Sequence, residues 1–202
     1  MNTIKNNGNQ FFIMRHVESI HNVDGWISAD EKTDKKSQLT EVGIQQAHKI
    51  GKELQTKNIT IIYHSPFQRV IKTCEIINNY LNVPTIIDKR LVQYNCGIFN
   101  GKLWQERDAF YQNNLEKLTK APPNGENFLD VKKRMVAFLI DINNNHIGEN
   151  LLIISHGNPL RILQWATLNL PNANLFADMR VLKWKSNISP EPKCEILLFN
   201  RK

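Results

Sequence analysis

The sequence of 202 residues is poor in cysteine, with only Cys74, Cys96 and Cys194 and no C-x-x-C pair. This odd, scattered set argues against a disulfide framework and against a cysteine zinc site. No apolar run reaches the ~18 residues of a membrane-spanning helix. The polar residues 1–10 also contain no apolar signal region. We therefore expect a protein of the reducing cytoplasm that has no membrane partner.

The chain also lacks a basic stripe interleaved with aromatic residues, although its net charge is +7. This distribution disfavours nucleic-acid binding. The excess charge is typical either of a lysine-rich solvated surface or of a cleft that attracts anionic ligands. The content of 41% hydrophobic and 22% charged residues is that of a globular protein. At this length we expect one domain over residues 1–202, with residues 1–9 as a flexible N-terminus.

Short apolar runs alternate with helix-like segments, and this alternation predicts a layered α/β domain. Strands are predicted at residues 10–14, 59–63, 85–87 and 151–154, with late strands at 180–185 and 194–199. Helices are predicted after an N-cap at Thr40, from Ser65-Pro66 to about Leu81, and over residues 126–144 and 158–167. The polar residues between 23 and 39 are predicted to form a loop.

Three predicted strands end at residues that suit an anion site. These residues are Arg15-His16, His64-Ser65, with Arg69 in the helix that follows, and Ser155-His156. In open α/β sheets, ligands bind beyond the carboxyl ends of the strands. We therefore expect these side chains to meet at one edge of the sheet.

The residue types at these strand ends are those that phosphoryl transfer needs. A neutral imidazole such as His16 can attack phosphorus and hold a phosphoryl group covalently. The forks of Arg15 and Arg69 match phosphate oxygens bidentately. His156 would donate to a phosphoryl oxygen as charge develops, and Gly157 lets the backbone approach closely. Each residue alone fits a structural role better, and only the combination favours a phosphate site.

Five segments, in this order, resemble the histidine phosphatase superfamily and most of all its phosphoglycerate-mutase-like branch. They are R-H-V-E-S-I-H-N from Arg15, L-T-E-V-G from Leu39, S-P-F-Q-R-V-I-K-T from Ser65, G-E-N-F from Gly125 and I-S-H-G from Ile154. The resemblance covers residues 11 to 161. It implies a single three-layer α/β/α domain with a mostly parallel central sheet, and it implies neither a metal nor another cofactor.

The resemblance also implies roles for individual residues. His16 would be the phosphorylated nucleophile of a phosphomonoesterase, with Arg15, Arg69 and His156 around the phosphate. Ser19, Asn22 and Gly157 would bind the substrate, which is a small phosphorylated metabolite, or inorganic phosphate. A small residue usually follows the nucleophile, whereas this chain has Val17, which should be tolerated because the site uses its backbone. The sequence carries no signal for an oligomeric state.

The loop from Leu91 to Gly101 contains the main departure from the family. The family's proton donor is usually a glutamate in a Leu-x-Glu segment followed by two glycines. Here the segment reads Leu91-Val92-Gln93, and Gly97 and Gly101 match the glycines. Glutamine can bind a leaving oxygen but cannot protonate it. General acid catalysis typically contributes ~10²–10⁴ in rate, so substrates with poor leaving groups should suffer most.

Several explanations of this departure stay open. Another carboxylate could supply the proton, and the candidates near the motifs are Glu18, Asp24 and Glu126. The substrate could have a good leaving group, or the chain could be a catalytically impaired protein that binds and senses phosphate esters. The loop could also align differently, so that Glu106 reaches the site.

Two further expectations concern the segments around the motifs. A phosphoglycerate mutase is less favoured, because the residues after Gly101 show little of the arginine-rich insertion that such mutases carry. Residues 23–38 are longer and more charged than a compact family member needs. This segment either covers the site as a lid or is an idle insertion.

Overall fold

The computed structural model describes residues 7–167 and the backbone of residues 197–199. Its strands are β1 (Gln10–Arg15), β2 (Ile61–His64), β3 (Thr85–Ile87), β4 (Asn150–Ser155) and β5 (Leu197–Phe199). They form one sheet in the order β3-β2-β4-β1-β5, in which the first four strands are parallel and β5 is antiparallel to β1. The predicted α/β fold with a mostly parallel sheet is confirmed. The strand predicted at 180–185 lies outside the described residues.

The four predicted helices are present with small shifts at their ends, and three short helices that were not predicted accompany them. They are α1 (Ile20–Asp24), α2 (Glu31–Asp34), α3 (Glu41–Leu54), α4 (Gln68–Leu81), α5 (Trp104–Ala109), α6 (Phe128–Asn145) and α7 (Gly157–Thr167). Short 3₁₀ turns lie at Gln55–Lys57, Lys89–Leu91, Gly97–Phe99 and Asn114–Leu118. Residues 23–39, predicted as a loop, contain α2 and the end of α1.

Alternate residues of the central strands face two separate cores. Met14 and Leu152 pack with apolar residues of α3 and α4 on one face of the sheet. Ile13 and Ile153 pack with residues of α6 and α7 on the other face. Side chains of a strand alternate between the two faces of a sheet, so a continuous apolar run is buried on both. This arrangement gives the three layers and makes the strand ends the natural place for polar groups.

The start of α3 is fixed as predicted, whereas the predicted start of α4 is wrong. The Thr40 hydroxyl accepts a hydrogen bond from the Gly43 amide at 3.0 Å, which caps α3. In α4 the N-cap is Phe67, and the helix begins at Gln68 rather than at Pro66. The hydroxyl of Ser65 is engaged elsewhere, 2.9 Å from Nε2 of His156. The same hydroxyl also accepts from the Phe67 amide at 3.4 Å, so Ser65 contacts both His156 and the residue that caps the helix.

The first described residues are held to the end of α6. The side-chain amide of Asn7 donates to the Asn143 carbonyl at 2.7 Å, and that of Asn9 donates to the His146 carbonyl at 2.8 Å. Across the described part of the chain, no helix is long and apolar enough to cross a membrane.

Candidate active site

Strand pairing brings the predicted site residues to one edge of the sheet. Arg15 lies opposite Ser155 in the β1–β4 register, and the His16 amide donates to the Ser155 carbonyl at 2.9 Å. The Ser65 amide donates to the Ile154 carbonyl at 3.1 Å. The three segments that follow β1, β2 and β4 therefore start from adjacent backbone positions.

Arg69 connects the two histidines of the site. Its Nε donates to Nε2 of His16 at 3.1 Å, and its Nη2 donates to Nδ1 of His156 at 3.0 Å. The two imidazole centroids are 5.3 Å apart. Arg69 is 1% exposed, so this cationic fork is fully inside the protein. The sequence predicted this trio, and the structure brings it together.

The remaining donors of Arg69 point to two residues, Ser28 and Asp34, that the sequence did not single out. Its Nη1 donates to the Ser28 hydroxyl at 3.0 Å and to Oδ1 of Asp34 at 2.8 Å. Its Nη2 also donates to the Ser28 carbonyl at 2.9 Å. Oδ2 of Asp34 accepts from the Gln68 amide at 2.7 Å. Residues 28–34 therefore cover the guanidinium, as a lid would.

The hydrogen bonds of His16 fix its tautomer. Nδ1 lies 2.7 Å from the Val17 carbonyl, which can only accept, so Nδ1 carries the proton. Nε2 faces Nε–H of Arg69, which can only donate, so Nε2 carries the lone pair. The neutral imidazole thus directs its nucleophilic nitrogen into the arginine cluster.

The other two buried imidazoles are fixed by the same reasoning. Nδ1 of His156 accepts from Arg69, so its Nε2 carries the proton and donates to the Ser65 hydroxyl. Nε2 of His21 accepts from the side-chain amide of Asn22 at 3.0 Å, so its Nδ1 is protonated and faces serine hydroxyls. The His21 and His16 rings are 5.6 Å apart. The three imidazoles form one polar layer that is held neutral.

Burial and nearby cations explain this neutrality. Burial is the largest cause that lowers the pKa of His16 and of His156 well below 6.5, and the charges of Arg69 and Arg15 lower both further. The same causes lower the pKa of His21 to about 2. Burial also lowers the pKa of Arg69, to about 10, although Asp34 opposes that shift. The site therefore holds positive charge on its arginines and none on its histidines.

Arg15 and Gly157 lie together at this edge, as predicted. A β-carbon placed on Gly157 would lie 3.9 Å from Cδ of Arg15, so the two residues are neighbours. Arg15 is half-buried. Its charge acts on His16, His21 and His156 alike, which places it among all three.

Ser19 and Asn22 lie in the turn after the nucleophile candidate. Oδ1 of Asn22 accepts from the Ser19 amide at 3.2 Å and from the Ser19 hydroxyl at 3.0 Å. Ser19 is fully buried, and Asn22 is half-buried. In this conformation both residues orient His21.

The side chain of Gln93 is not hydrogen-bonded to the histidine cluster in the described part of the chain. Its side-chain oxygen accepts from the Tyr94 amide at 2.9 Å, so the side chain turns back on its own backbone. Within the described residues, hydrogen bonds connect His16, Arg69 and His156, and none connects Gln93 to them. Both glycines of this loop have positive φ, 55° at Gly97 and 84° at Gly101, as expected for tight turns.

A clamp on α6 holds the Gln93 loop, and sequence reasoning missed it. Arg134 donates to the carbonyls of Arg90 and Gln93 and to both oxygens of the Glu126 carboxylate. Oε2 of Glu126 also accepts from the Asn95 amide at 3.0 Å. Only the placement of α6 beside the loop brings these groups together.

The carboxylates that could replace the missing acid are occupied elsewhere. Glu18 accepts from the Thr40 hydroxyl, and Glu126 is paired with Arg134. Glu106 accepts from the Leu103 amide at the start of its own helix. Asp24 is exposed, and Nε1 of Trp26 points at it from 3.4 Å. The carboxylate that does contact the cluster is Asp34.

Asp34 and Ser28 carried no recognisable signal in the sequence. They belong to residues 23–38, for which the sequence allows either a lid over the site or an idle insertion. The burial of Ser28 and Asp34, 2% and 5% exposed, favours the lid. Burial raises the pKa of Asp34 above its usual value, whereas the Gln68 amide and Arg69 pull it down. Among the described residues, no cluster of three or more His, Cys, Asp or Glu could hold a metal ion.

Comparisons with known proteins point to one family. The model of the histidine phosphatase superfamily (branch 1) matches residues 11–184. "Putative phosphoserine phosphatase 2" of Hydrogenobacter thermophilus is 31% identical over 159 residues, 76% of each chain. "Probable phosphoglycerate mutase GpmB" of Yersinia pestis is 29% identical over 167 residues, 80% of this chain and 76% of that protein.

Solved structures give the same result for the fold. YhfR of Bacillus stearothermophilus superimposes with a TM-score of 0.74 at 31% identity, covering 84% of both chains. A mycobacterial glucosyl-3-phosphoglycerate phosphatase gives 0.73 at 23% identity, over 83% of both chains. The second likeness concerns the fold alone.

Proposed function

Because the chain belongs to the histidine phosphatase superfamily, we propose that it is a phosphomonoesterase that works through a phosphohistidine. The observation that carries the proposal is the tautomer of His16, whose Nε2 lone pair faces the Arg69 fork. The relatives named phosphatases support hydrolysis, whereas another relative is named a probable phosphoglycerate mutase. A small phosphorylated metabolite is the proposed substrate.

The proposed reaction has two displacements at phosphorus. Nε2 of His16 attacks, the bond from phosphorus to the ester oxygen breaks, and that oxygen leaves with the electron pair. Arg15 and Arg69 stabilise the charge on the transferring oxygens, mainly by position and electrostatics. The N–H of His156 donates to the Ser65 hydroxyl before the substrate binds, so it joins them only when it leaves that hydroxyl. Water then attacks the phosphohistidine, the P–N bond breaks, and its electron pair returns to Nε2 while the water proton passes to solvent.

Gln93 sets the substrate preference in this proposal. The amide cannot protonate the departing oxygen, and the nearby carboxylates are tied to other partners. Aryl, acyl and protonated phosphoramidate leaving groups need little help from an acid, whereas alkoxides need a great deal. We therefore expect fast turnover of aryl phosphates and slow turnover of alkyl phosphates.

The test compares 4-nitrophenyl phosphate with phosphoserine, using wild type, His16→Ala and the exposed-site control His48→Ala. Aryl turnover that needs His16 and exceeds the alkyl rate would support the proposal. Turnover of both substrates that persists in His16→Ala would refute the phosphohistidine. Acid-quenched protein should also carry an acid-labile phosphoryl group in wild type and none in His16→Ala.

The second candidate is a catalytically impaired protein that binds phosphate esters, and Gln93 is the observation that favours it. The same assay separates the two functions. Absence of His16-dependent turnover, together with measurable binding of inorganic phosphate, would favour binding over catalysis.

A mutase would instead move a phosphoryl group between the hydroxyls of phosphoglycerate. A cytoplasmic setting remains a prediction from the cysteine pattern.

A further inference from the structure

Every N–H group of Arg69 already has an acceptor. A guanidinium carries five N–H donors. Nε serves His16, Nη1 serves the Ser28 hydroxyl and Asp34, and Nη2 serves the Ser28 carbonyl and His156. A phosphoryl group can therefore bind Arg69 only by displacing one of these partners.

Asp34 is the anionic partner among these acceptors. Its carboxylate is 6% exposed and accepts from Nη1 of Arg69 at 2.8 Å. The guanidinium of Arg69 is a group that can also bind two oxygens of a phosphate. Ser28 contributes two neutral oxygens beside the carboxylate. Together they offer Arg69 the kind of oxygens that a phosphoryl group would offer. His16 and His156 are 2% and 0% exposed in the state that makes this contact.

The segment that carries Asp34 is fastened at its ends and held in the middle by this contact. At one end Ile27 exchanges backbone hydrogen bonds with Gly101 and Lys102, and at the other the Gln38 carbonyl accepts from Ile20. Between them, the hydrogen bonds that connect residues 28–36 to the rest of the described chain end on Arg69 or on the Gln68 amide. Ala29 also packs in the core with Ile27, so this apolar contact is given up together with those bonds when the middle moves while the ends stay attached.

We propose that Asp34 is a built-in competitor for the phosphate site, and that residues 28–36 leave Arg69 when a phosphoryl group binds. This inference rests on the proposed function. Asp34 then acts as a positioning residue that holds Arg69 before the substrate arrives and lowers the affinity for every phosphoryl ligand. The closed form binds no ligand, so the apparent dissociation constant rises by the inverse of the open fraction.

The change in ligand affinity distinguishes displacement of Asp34 from charge repulsion by an Asp34 that stays in place. If Asp34 leaves the site on binding, Asp34→Asn should tighten all ligands by the same factor, because the change acts on the free protein alone. If Asp34 stays and repels the ligand, a dianion should gain more than a monoanion. Phenylphosphonate at pH 8 and benzenesulfonate have the same shape and different charge, so they test this directly.

The binding experiment uses isothermal titration calorimetry on wild type, Asp34→Asn and the control Glu31→Gln. Glu31 lies on the same short helix, and its side chain is 87% exposed and paired with Lys35. We expect about tenfold tighter binding of both ligands to Asp34→Asn, which corresponds to ~1.4 kcal/mol. Glu31→Gln should bind them as wild type does. Unchanged affinity in Asp34→Asn, or a gain for the phosphonate alone, would overturn the model.

A second experiment needs no variant, in case Asp34→Asn fails to fold. Hydrogen–deuterium exchange is followed on wild type with and without phenylphosphonate. The amides of Asp34 and Ser37, hydrogen-bonded within the segment, should exchange faster when the ligand is bound. Slower or unchanged exchange in the presence of bound ligand would refute the displacement and leave the phosphatase proposal intact. If no protein binds phenylphosphonate, the phosphate site itself is wrong.

Discussion

Two regions meet at the carboxyl edge of the sheet, and they are built in opposite ways. In the Arg69 cluster, side chains of three strand ends bind one another and are buried. In the Gln93 loop, the backbone is clamped from outside by Arg134, while the Gln93 side chain accepts a hydrogen bond from the neighbouring Tyr94 amide. In the proposed function the first region binds and transfers a phosphoryl group, and the second has a glutamine where the family's proton donor is expected. The comparison shows that phosphate chemistry and acid catalysis are separable parts of this site.

The largest effect should come from removing the centre of the cluster. Arg69→Ala should lower kcat/KM for an aryl phosphate by ~10³-fold or more, the scale of an arginine that stabilises a transferring phosphoryl group. It should also lower the free energy of unfolding by ~3–5 kcal/mol, because Asp34 stays buried without its partner. Steady-state kinetics and urea unfolding measure the two effects.

The double variant Arg69→Ala/Asp34→Ala is the control for that prediction. It removes both charges, so it should recover part of the lost stability and none of the activity. A single Arg69 variant as stable as wild type would show that the buried pair contributes nothing.

Lowering the pH should lower the free energy of unfolding through the buried histidines of the Arg69 cluster, and the Gln93 loop should not contribute to this loss. The folded protein keeps His16, His21 and His156 neutral, and the unfolded chain protonates them below pH 6.5, so the unfolded state binds more protons. Stability is therefore fully present above pH 6.5 and is lost as the pH falls below it. Three groups give ~4 kcal/mol per pH unit, or ~10³ in the unfolding constant.

Urea unfolding at pH 7.5, 6.5 and 5.5 measures this slope. His21→Gln should reduce it by one proton, and His48→Gln, which removes an exposed imidazole, is the control. A stability that stays level from pH 6.5 to pH 5.5 would mean that the imidazoles are not held neutral.

Restoring the acid tests the loop alone. Gln93→Glu should raise turnover of phosphoserine by ~10-fold or more and change aryl phosphate turnover far less, because general acid catalysis helps poor leaving groups most. Gln105→Glu, an exposed change of the same kind, is the matched control. An unchanged phosphoserine rate would mean either that another group donates the proton or that protonation is not limiting.

The smallest effect should come from the edge of the cluster. Ser65→Ala removes the acceptor of the His156 N–H and should cost ~1 kcal/mol of stability. It should lower kcat/KM about fivefold, since ~1 kcal/mol in the barrier corresponds to that factor. A loss as large as that of Arg69→Ala would mean that His156 depends entirely on this one hydroxyl for its orientation.

The sequence was informative where local pattern and topology determine position. Parallel strands bring their carboxyl ends together, so the meeting of His16, Arg69 and His156 followed from the strand assignments. The contact of Asp34 with Arg69 spans 35 positions and joins a short helix to a long one, and no periodicity encodes it. Ser65 satisfied the capping rule, and its hydroxyl does accept from the Phe67 amide, but its contact with His156 depends on the packing of two distant strand ends and has no local signal.

Val17 shows how this protein can tolerate amino-acid substitution directly beside His16. Its carbonyl holds the proton of His16, while its side chain, 1% exposed, fills the core under α3 and α4. Chemistry thus depends on the main chain at this position, and packing alone constrains the side chain. Evolutionary change at this position should therefore be limited by side-chain volume, and a directed library there would vary stability while leaving the His16 imidazole oriented as before.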